Sequence, residues 1–75
     1  MKELVEMIAS ALVDNPDEVV VTETETENEI VLKLSVASAD MGKVIGKQGK
    51  IAKAIRTVVR ASASKSDKKI LVDIQ

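Results

Sequence analysis

The sequence contains no cysteine, no histidine and no aromatic residue, and only one proline and three glycines among its 75 residues. Without thiols there can be no disulfide, thiolate nucleophile or cysteine metal site, and nothing in the chain demands an oxidising compartment. Without imidazole, the usual proton shuttle near neutral pH and the commonest metal ligand are missing, which argues against an enzyme. Without Phe, Tyr or Trp, any core must be built from Val, Ile, Leu, Met and Ala, and any contact with unpaired bases must do without aromatic stacking. So reduced an alphabet suggests an engineered or reconstructed sequence. No apolar run approaches the roughly 20 residues needed to cross a bilayer. The start, Met1 to Glu6, carries two carboxylates where a signal peptide would be basic. A cytoplasmic location with no membrane partner is the expectation.

What is present fits one small folded unit. A chain of this length predicts a single domain over residues 1–75, and 45% hydrophobic with 31% charged residues lies in the globular range. The net charge of −1 conceals an asymmetry along the chain. Residues 1–30 hold nine acids against Lys2, whereas residues 31–75 hold ten bases against Asp40, Asp67 and Asp73. Lys43, Lys47, Lys50, Lys53, Arg56 and Arg60 follow one another without an intervening acid. Such a stretch can steer an anion; its bland alternative is the solvated face of a helix.

Apolar spacing predicts a helix over about 2–13, with Leu4, Val5, Ile8, Ala11 and Leu12 as its buried stripe. Asp14-Asn15-Pro16-Asp17 ends it. Residues 18–26 read as a strand, Glu27-Asn28-Glu29 as a hairpin turn with Asn28 in the left-handed region, and 30–36 as a second strand. There Ile30, Leu32, Leu34 and Val36 alternate with Val31, Lys33 and Ser35. Ser38 or Asp40 can cap a short helix holding Met41, Val44 and Ile45 that stops at Gly46. A further helix starts near Gly49 or Lys50, with Ile51, Ile55, Val58 and Val59 inward and Lys53, Arg56 and Arg60 outward. After a polar break at Lys65-Ser66-Asp67-Lys68, Ile70, Val72 and Ile74 mark a last strand. The order α-β-β-α-α-β predicts an α+β fold. A helical crossover allows the last two strands to lie parallel, giving a three-stranded mixed sheet covered on one face by three helices.

The chemically suggestive segment runs from Gly42 to Ile51, GKVIGKQGKI. Gly46 can close one helix in a backbone conformation closed to most side chains, and Gly49 lets another backbone come close where the next begins. The N–H groups and dipole of that helix start favour a phosphate, which Lys43, Lys47 and Lys50 can neutralise. A P-loop does not fit. Only three residues separate Gly42 from Gly46, Gln48 stands where Ser or Thr would hold a metal, and a helix precedes instead of a strand.

In context, Val44-Ile45-Gly46-Lys47-Gln48-Gly49 resembles the signature of the KH domain, whose GXXG loop grips four backbone nucleotides of single-stranded RNA. The element order resembles the type II KH fold. Asn15-Pro16-Asp17-Glu18-Val19 and the segment from Asp40 to Thr57 are similar to the small bacterial single-KH proteins of the KhpA family. That resemblance implies a cytoplasmic RNA-binding protein, an RNA chaperone or post-transcriptional regulator, linked in some bacteria to cell shape. It implies a homodimer, or a heterodimer with a larger Jag-type KH protein, KhpB. It further implies that Gly46, Lys47, Gln48 and Gly49 form the backbone clamp, with Val44 and Ile45 in the groove beside it. Lys43, Lys50 and Lys53 are added on electrostatic grounds. The chain departs from many KH domains in placing Ala52 three positions after the second glycine, where an aliphatic residue is usual.

Binding of single-stranded RNA, and of single-stranded DNA by the same contacts, is therefore the leading expectation, with no cofactor and no metal. The alternative is a protein-interaction or dimerisation module that uses a helix face or a sheet edge. Enzymatic chemistry ranks last. Glu23, Glu25, Glu27 and Glu29 read as one solvated strand face that discourages edge pairing, and Ser62, Ser64 and Ser66 have no histidine base. Met1, Met7 and Met41 read as core or terminal residues.

Overall fold

A computed structural model describes residues 1–63 and 67–75; Ser64, Lys65 and Ser66, two of the serines and part of the break noted above, lie outside the described residues. The elements are α1 (Lys2–Leu12), β1 (Val20–Glu25), β2 (Glu29–Ser35), α2 (Met41–Ile45), α3 (Lys50–Ser62) and β3 (Lys69–Ile74). The sheet order is β1-β2-β3, with β1 antiparallel and β3 parallel to the central strand. This is the expected α+β arrangement of a type II KH domain. α1 packs on β1, α3 on β3, and the two helices meet each other and α2 on the same face of the sheet.

The strict alternation in β2 decides which face is inner. Ile30, Leu32 and Leu34 are buried while Lys33 and Ser35 are exposed. Val5 and Ala9 of α1, Val21 of β1, Val44 of α2, Ile55 and Val59 of α3 and Ile70 of β3 close over them. Every core residue is aliphatic, as the absence of aromatics requires.

Local departures from expectation have physical causes. β1 starts at Val20 because Pro16–Glu18 form a 3₁₀ turn with the proline at its start, where its missing N–H costs nothing. The hairpin turn is held by Thr26 and not by a left-handed Asn28. Its Oγ1 accepts from the N–H groups of Asn28 (3.3 Å) and Glu29 (3.1 Å), and its own N–H donates to the Glu29 carbonyl (2.8 Å). The four glutamates do not share one strand face. Glu23 and Glu25 stand on the inner side of β1 beyond the helices, Glu27 is in the turn and Glu29 points outward from β2. Glu23 accepts from the Lys2 N–H (3.1 Å), satisfying a donor in the first turn of α1 where negative charge is favoured; Glu25 pairs with Lys68. In α1 the core takes Val5 and Ala9, whereas Ala11, Leu12 and Met7 are exposed, so the true stripe is rotated from the expected one. In α3 the core takes Ala52, Ile55 and Val59, and Val58 is exposed.

Candidate nucleic-acid interface

Two helices of opposite ends meet at Gly46–Gly49. α2 ends when the Gly46 N–H donates to the Gly42 carbonyl (2.9 Å), and Gly46 then leaves the helix at φ 76°, ψ 174°. Lys47–Gly49 form one 3₁₀ turn, closed by the Gly49 N–H on the Gly46 carbonyl (3.2 Å). Gln48 (φ 57°, ψ 25°) and Gly49 (φ 74°, ψ 16°) both lie in the left-handed region before α3 begins. Among the described residues Gln48 is the one non-glycine with positive φ. Left-handed backbone costs an L residue about 1–2 kcal/mol, and strain of this kind concentrates where a loop must hold a particular shape.

The two glycines have different duties. A Cβ on Gly46 would lie 2.6 Å from Cγ1 of Ile51, so this residue is bare because Ile51 fills the space above it. A Cβ on Gly49 would meet nothing within 4 Å. Its bare backbone faces open space at the start of α3, where no side chain caps the helix, which suits close approach of an anion.

The candidate residues fall into three groups. Lys47, Gln48, Lys50 and Lys53 are exposed, and none of these lysines has a carboxylate partner among the described residues. Ile45 is 36% exposed and provides an aliphatic surface beside the loop. Val44, expected in the groove, is instead completely buried and supports the loop from beneath. A five-residue helix has too little periodicity to show which of two adjacent aliphatics turns inward.

Lys43 is exposed but engaged. Its ammonium pairs with Asp14 and lies 3.6 Å from Oδ1 of Asp40. The Asp14 hydrogen bond raises Lys43 above its ordinary value, against the opposing effect of burial. Asp40 does not cap α2 as expected. It is buried, and its carboxylate accepts from the Asp14 N–H (3.3 Å), the Asn15 N–H (3.0 Å) and Asn15 Nδ2 (3.0 Å). Burial alone would raise the Asp40 carboxyl, but these donors, with Lys43 beside them, hold it below its ordinary range. Asp40 thus fixes the α1–β1 connection to the start of α2 and steadies the helix that leads into the loop.

Two features escaped the sequence reading. Arg56 is half-buried and its Nε donates to the Val72 carbonyl (3.4 Å); helical spacing marked it as outward but not as reaching β3. The outer seam between α1 and α3 is an apolar groove of about 420 Å³, with Ile8, Leu12, Ile51, Ala54 and Val58 in its wall. Among the described residues no three His, Cys, Asp or Glu side chains converge as a metal site, and no helix is long and apolar enough to cross a membrane.

Comparison with known proteins agrees with this geometry. The family described as "KhpA/KhpB, KH domain" matches residues 2–74. The chain is similar to the RNA-binding protein KhpA of Clostridium perfringens, 62% identical over 74 residues and 99% of both chains. It is 61% identical to that of Clostridium acetobutylicum over the same share of each. The KhpA of Listeria monocytogenes is 57% identical across 99% of this chain and 97% of its own. No solved structure matches significantly. With a GXXG turn between two helices and a family match that spans nearly every residue, the chain belongs to the KhpA/KhpB family of KH domains.

Proposed function

We propose that the chain binds single-stranded RNA without catalysis, gripping the sugar-phosphate backbone at Gly46–Gly49 and resting bases against the aliphatic surface at Ile45. The observation that carries this reading is the open face of Gly49 at an uncapped helix start, flanked by the unpaired Lys47, Lys50 and Lys53. The names of the relatives, RNA-binding protein KhpA, support it. The contacts involve backbone and charge, so single-stranded DNA binds by the same loop and sequence preference is slight. On this reading the protein acts in the cytoplasm as an RNA chaperone or post-transcriptional regulator, with consequences for cell shape.

The test replaces Lys47 and Gln48 together by Asp. Both are exposed, so far-UV circular dichroism should stay unchanged while affinity for a short oligouridylate at low salt falls at least about tenfold. The wild-type log K should fall with log salt by about 0.7 for each phosphate contact. Unaltered affinity in the double variant, or a salt-independent wild type, refutes the clamp.

The α1–α3 groove supports a second activity, association with another copy of this chain or with a larger KH protein of the KhpB type. Leu12 is 37% and Val58 43% exposed in its wall, apolar surface that a partner would cover. Val58→Glu should shift sedimentation to the monomer at every concentration; a wild type that is already monomeric refutes self-association.

A further inference from the structure

Gly46 and Gly49 give the turn its positive φ angles, but glycine adopts many other conformations as readily, so something beyond them must hold the turn in one shape. Two backbone bonds do part of this, from the Gly46 N–H to the Gly42 carbonyl and from the Gly49 N–H to the Gly46 carbonyl, the second a long one of 3.2 Å. Lys47 and Gln48 are exposed, and the space beside Gly49 is open. The turn therefore leans on its Gly46 end. There the three heavy atoms nearest to a Cβ built on the glycine belong to one side chain, Cγ1, Cβ and Cδ1 of Ile51.

Ile51 suits this task in two ways. It is the second residue of α3, and helical side chains point back toward the N-terminus, so its branches reach over the turn that precedes it. Branching at Cβ leaves it one strongly preferred rotamer in a helix, which makes it a stiff support. The core alone does not account for it. α3 buries Ala52, Ile55 and Val59, whereas Ile51 packs against the core half-buried and also lines the α1–α3 groove.

We propose that Ile51 is the positioning residue of the clamp. It touches no nucleotide itself but pins Gly46, whose carbonyl anchors Gly49, and so keeps the start of α3 open in the shape that receives a phosphate. The proposal rests on Gly46–Gly49 being the clamp. A ligand that binds one shape of the loop loses apparent affinity in proportion to the fraction of molecules holding that shape, while the number of phosphates contacted stays the same.

Graded truncation tests it. Ile51→Val keeps Cβ and Cγ1 and drops Cδ1; Ile51→Ala keeps Cβ alone. At low temperature and low salt, affinity for tetrauridylate should fall about twofold in the first and at least about fivefold in the second, with the slope of log K against log salt unchanged. Hydrogen exchange at the Gly49 amide should quicken in the same order, relative to the Val59 amide inside α3. Val21→Ala truncates the core on β1, at the far side of the sheet from β3 where α3 packs; it should lose stability and still bind as the wild type does. Should Ile51→Ala not fold, Ile51→Val against Val21→Ala decides. Wild-type affinity in every folded Ile51 variant, or an equal loss in Val21→Ala, overturns the positioning role and leaves the clamp standing. A flattened salt slope overturns it too, since a phosphate contact would have gone with the side chain. Full affinity in the Lys47, Gln48 double Asp variant overturns the clamp and the positioning role with it.

Discussion

The sharpest contrast the structure makes is between Gly46→Ala and Gly49→Ala, identical substitutions three residues apart. At φ 76°, ψ 174°, Gly46 occupies a region essentially restricted to glycine, and holding an L residue there costs about 1–3 kcal/mol. The new methyl would also sit 2.6 Å from Ile51 Cγ1 and 2.9 Å from its Cβ and Cδ1. Ile51 packs against the core, so it cannot swing clear without repacking, at about a further 1–3 kcal/mol. Gly49 at φ 74°, ψ 16° carries only the left-handed cost of about 1–2 kcal/mol, partly offset by the stiffer unfolded chain. Domains of this size unfold by about 5 kcal/mol or little more. Gly46→Ala should therefore bring the protein near the edge of folding, whereas Gly49→Ala should lower Tm by roughly 4–8 °C. Urea unfolding followed by far-UV circular dichroism measures both, since the chain has no aromatic fluorophore. Gly49→Ala should stay folded but bind oligouridylate poorly, because its methyl enters the space a backbone would use. Equal destabilisation by the two substitutions, or wild-type affinity in Gly49→Ala, would refute the division of labour between them.

Asp40→Asn should lose a pH dependence. A carboxyl held below its ordinary 3.8 on folding stabilises the protein above that value, and the contribution disappears as pH falls through the folded value. Wild-type Tm should drop more steeply than that of the variant between about pH 5 and about pH 2.5; parallel curves would show that the buried carboxylate is not what acid attacks. Asp14→Asn removes one of the two carboxylates beside Lys43 and leaves Asp40 at 3.6 Å, and oligonucleotide affinity at low salt should rise with a steeper salt slope; no change would remove Lys43 from the site. The raised Lys43 ammonium contributes stability below 10.5 that is lost as pH rises through the folded value, so wild type and Asp14→Asn should converge in Tm in strong alkali. Leu32→Ala, at a fully buried position of the central strand, should cost about 2–5 kcal/mol by urea unfolding, and a loss under 1 kcal/mol would contradict the core assigned here.

Where local pattern and tertiary role coincide, the sequence was easy to read. β2 alternates because Ile30, Leu32 and Leu34 are buried in the core, while the outer residues Glu29, Val31, Lys33 and Ser35 are half-buried or exposed. The element order, the mixed sheet and the glycine turn follow from periodicity and breakers alone. Residues whose role depends on a distant neighbour were not legible. Val58 has the spacing of a core residue but lines the open groove between α1 and α3 and stays 43% exposed. Asp40 looks like a helix cap, and only the fold brings Asn15 to it across 25 residues of sequence. Gly46 and Gly49 are the same letter; Ile51 above one and open space above the other distinguish them.

Charge segregation reconciles a sequence pI near 5.4 with a polyanionic ligand. The glutamates of the β1–β2 hairpin sit at the end of the sheet where β3 begins, since Glu29 pairs with Lys69. α3 separates that end from the loop by about 20 Å, within a molecule whose longest extent is 35 Å. At physiological ionic strength the screening length is about 8 Å, so the loop experiences its own lysines and little of the hairpin; at 0.01 M salt it is about 30 Å and the acids are felt. Exchanging Glu27 for Gln at the hairpin tip should accordingly leave affinity unchanged near 0.15 M salt and raise it at 0.01 M. An effect of equal size at both would mean that the hairpin touches the strand directly, and that the ligand passes over the end of the molecule from which its charge should exclude it.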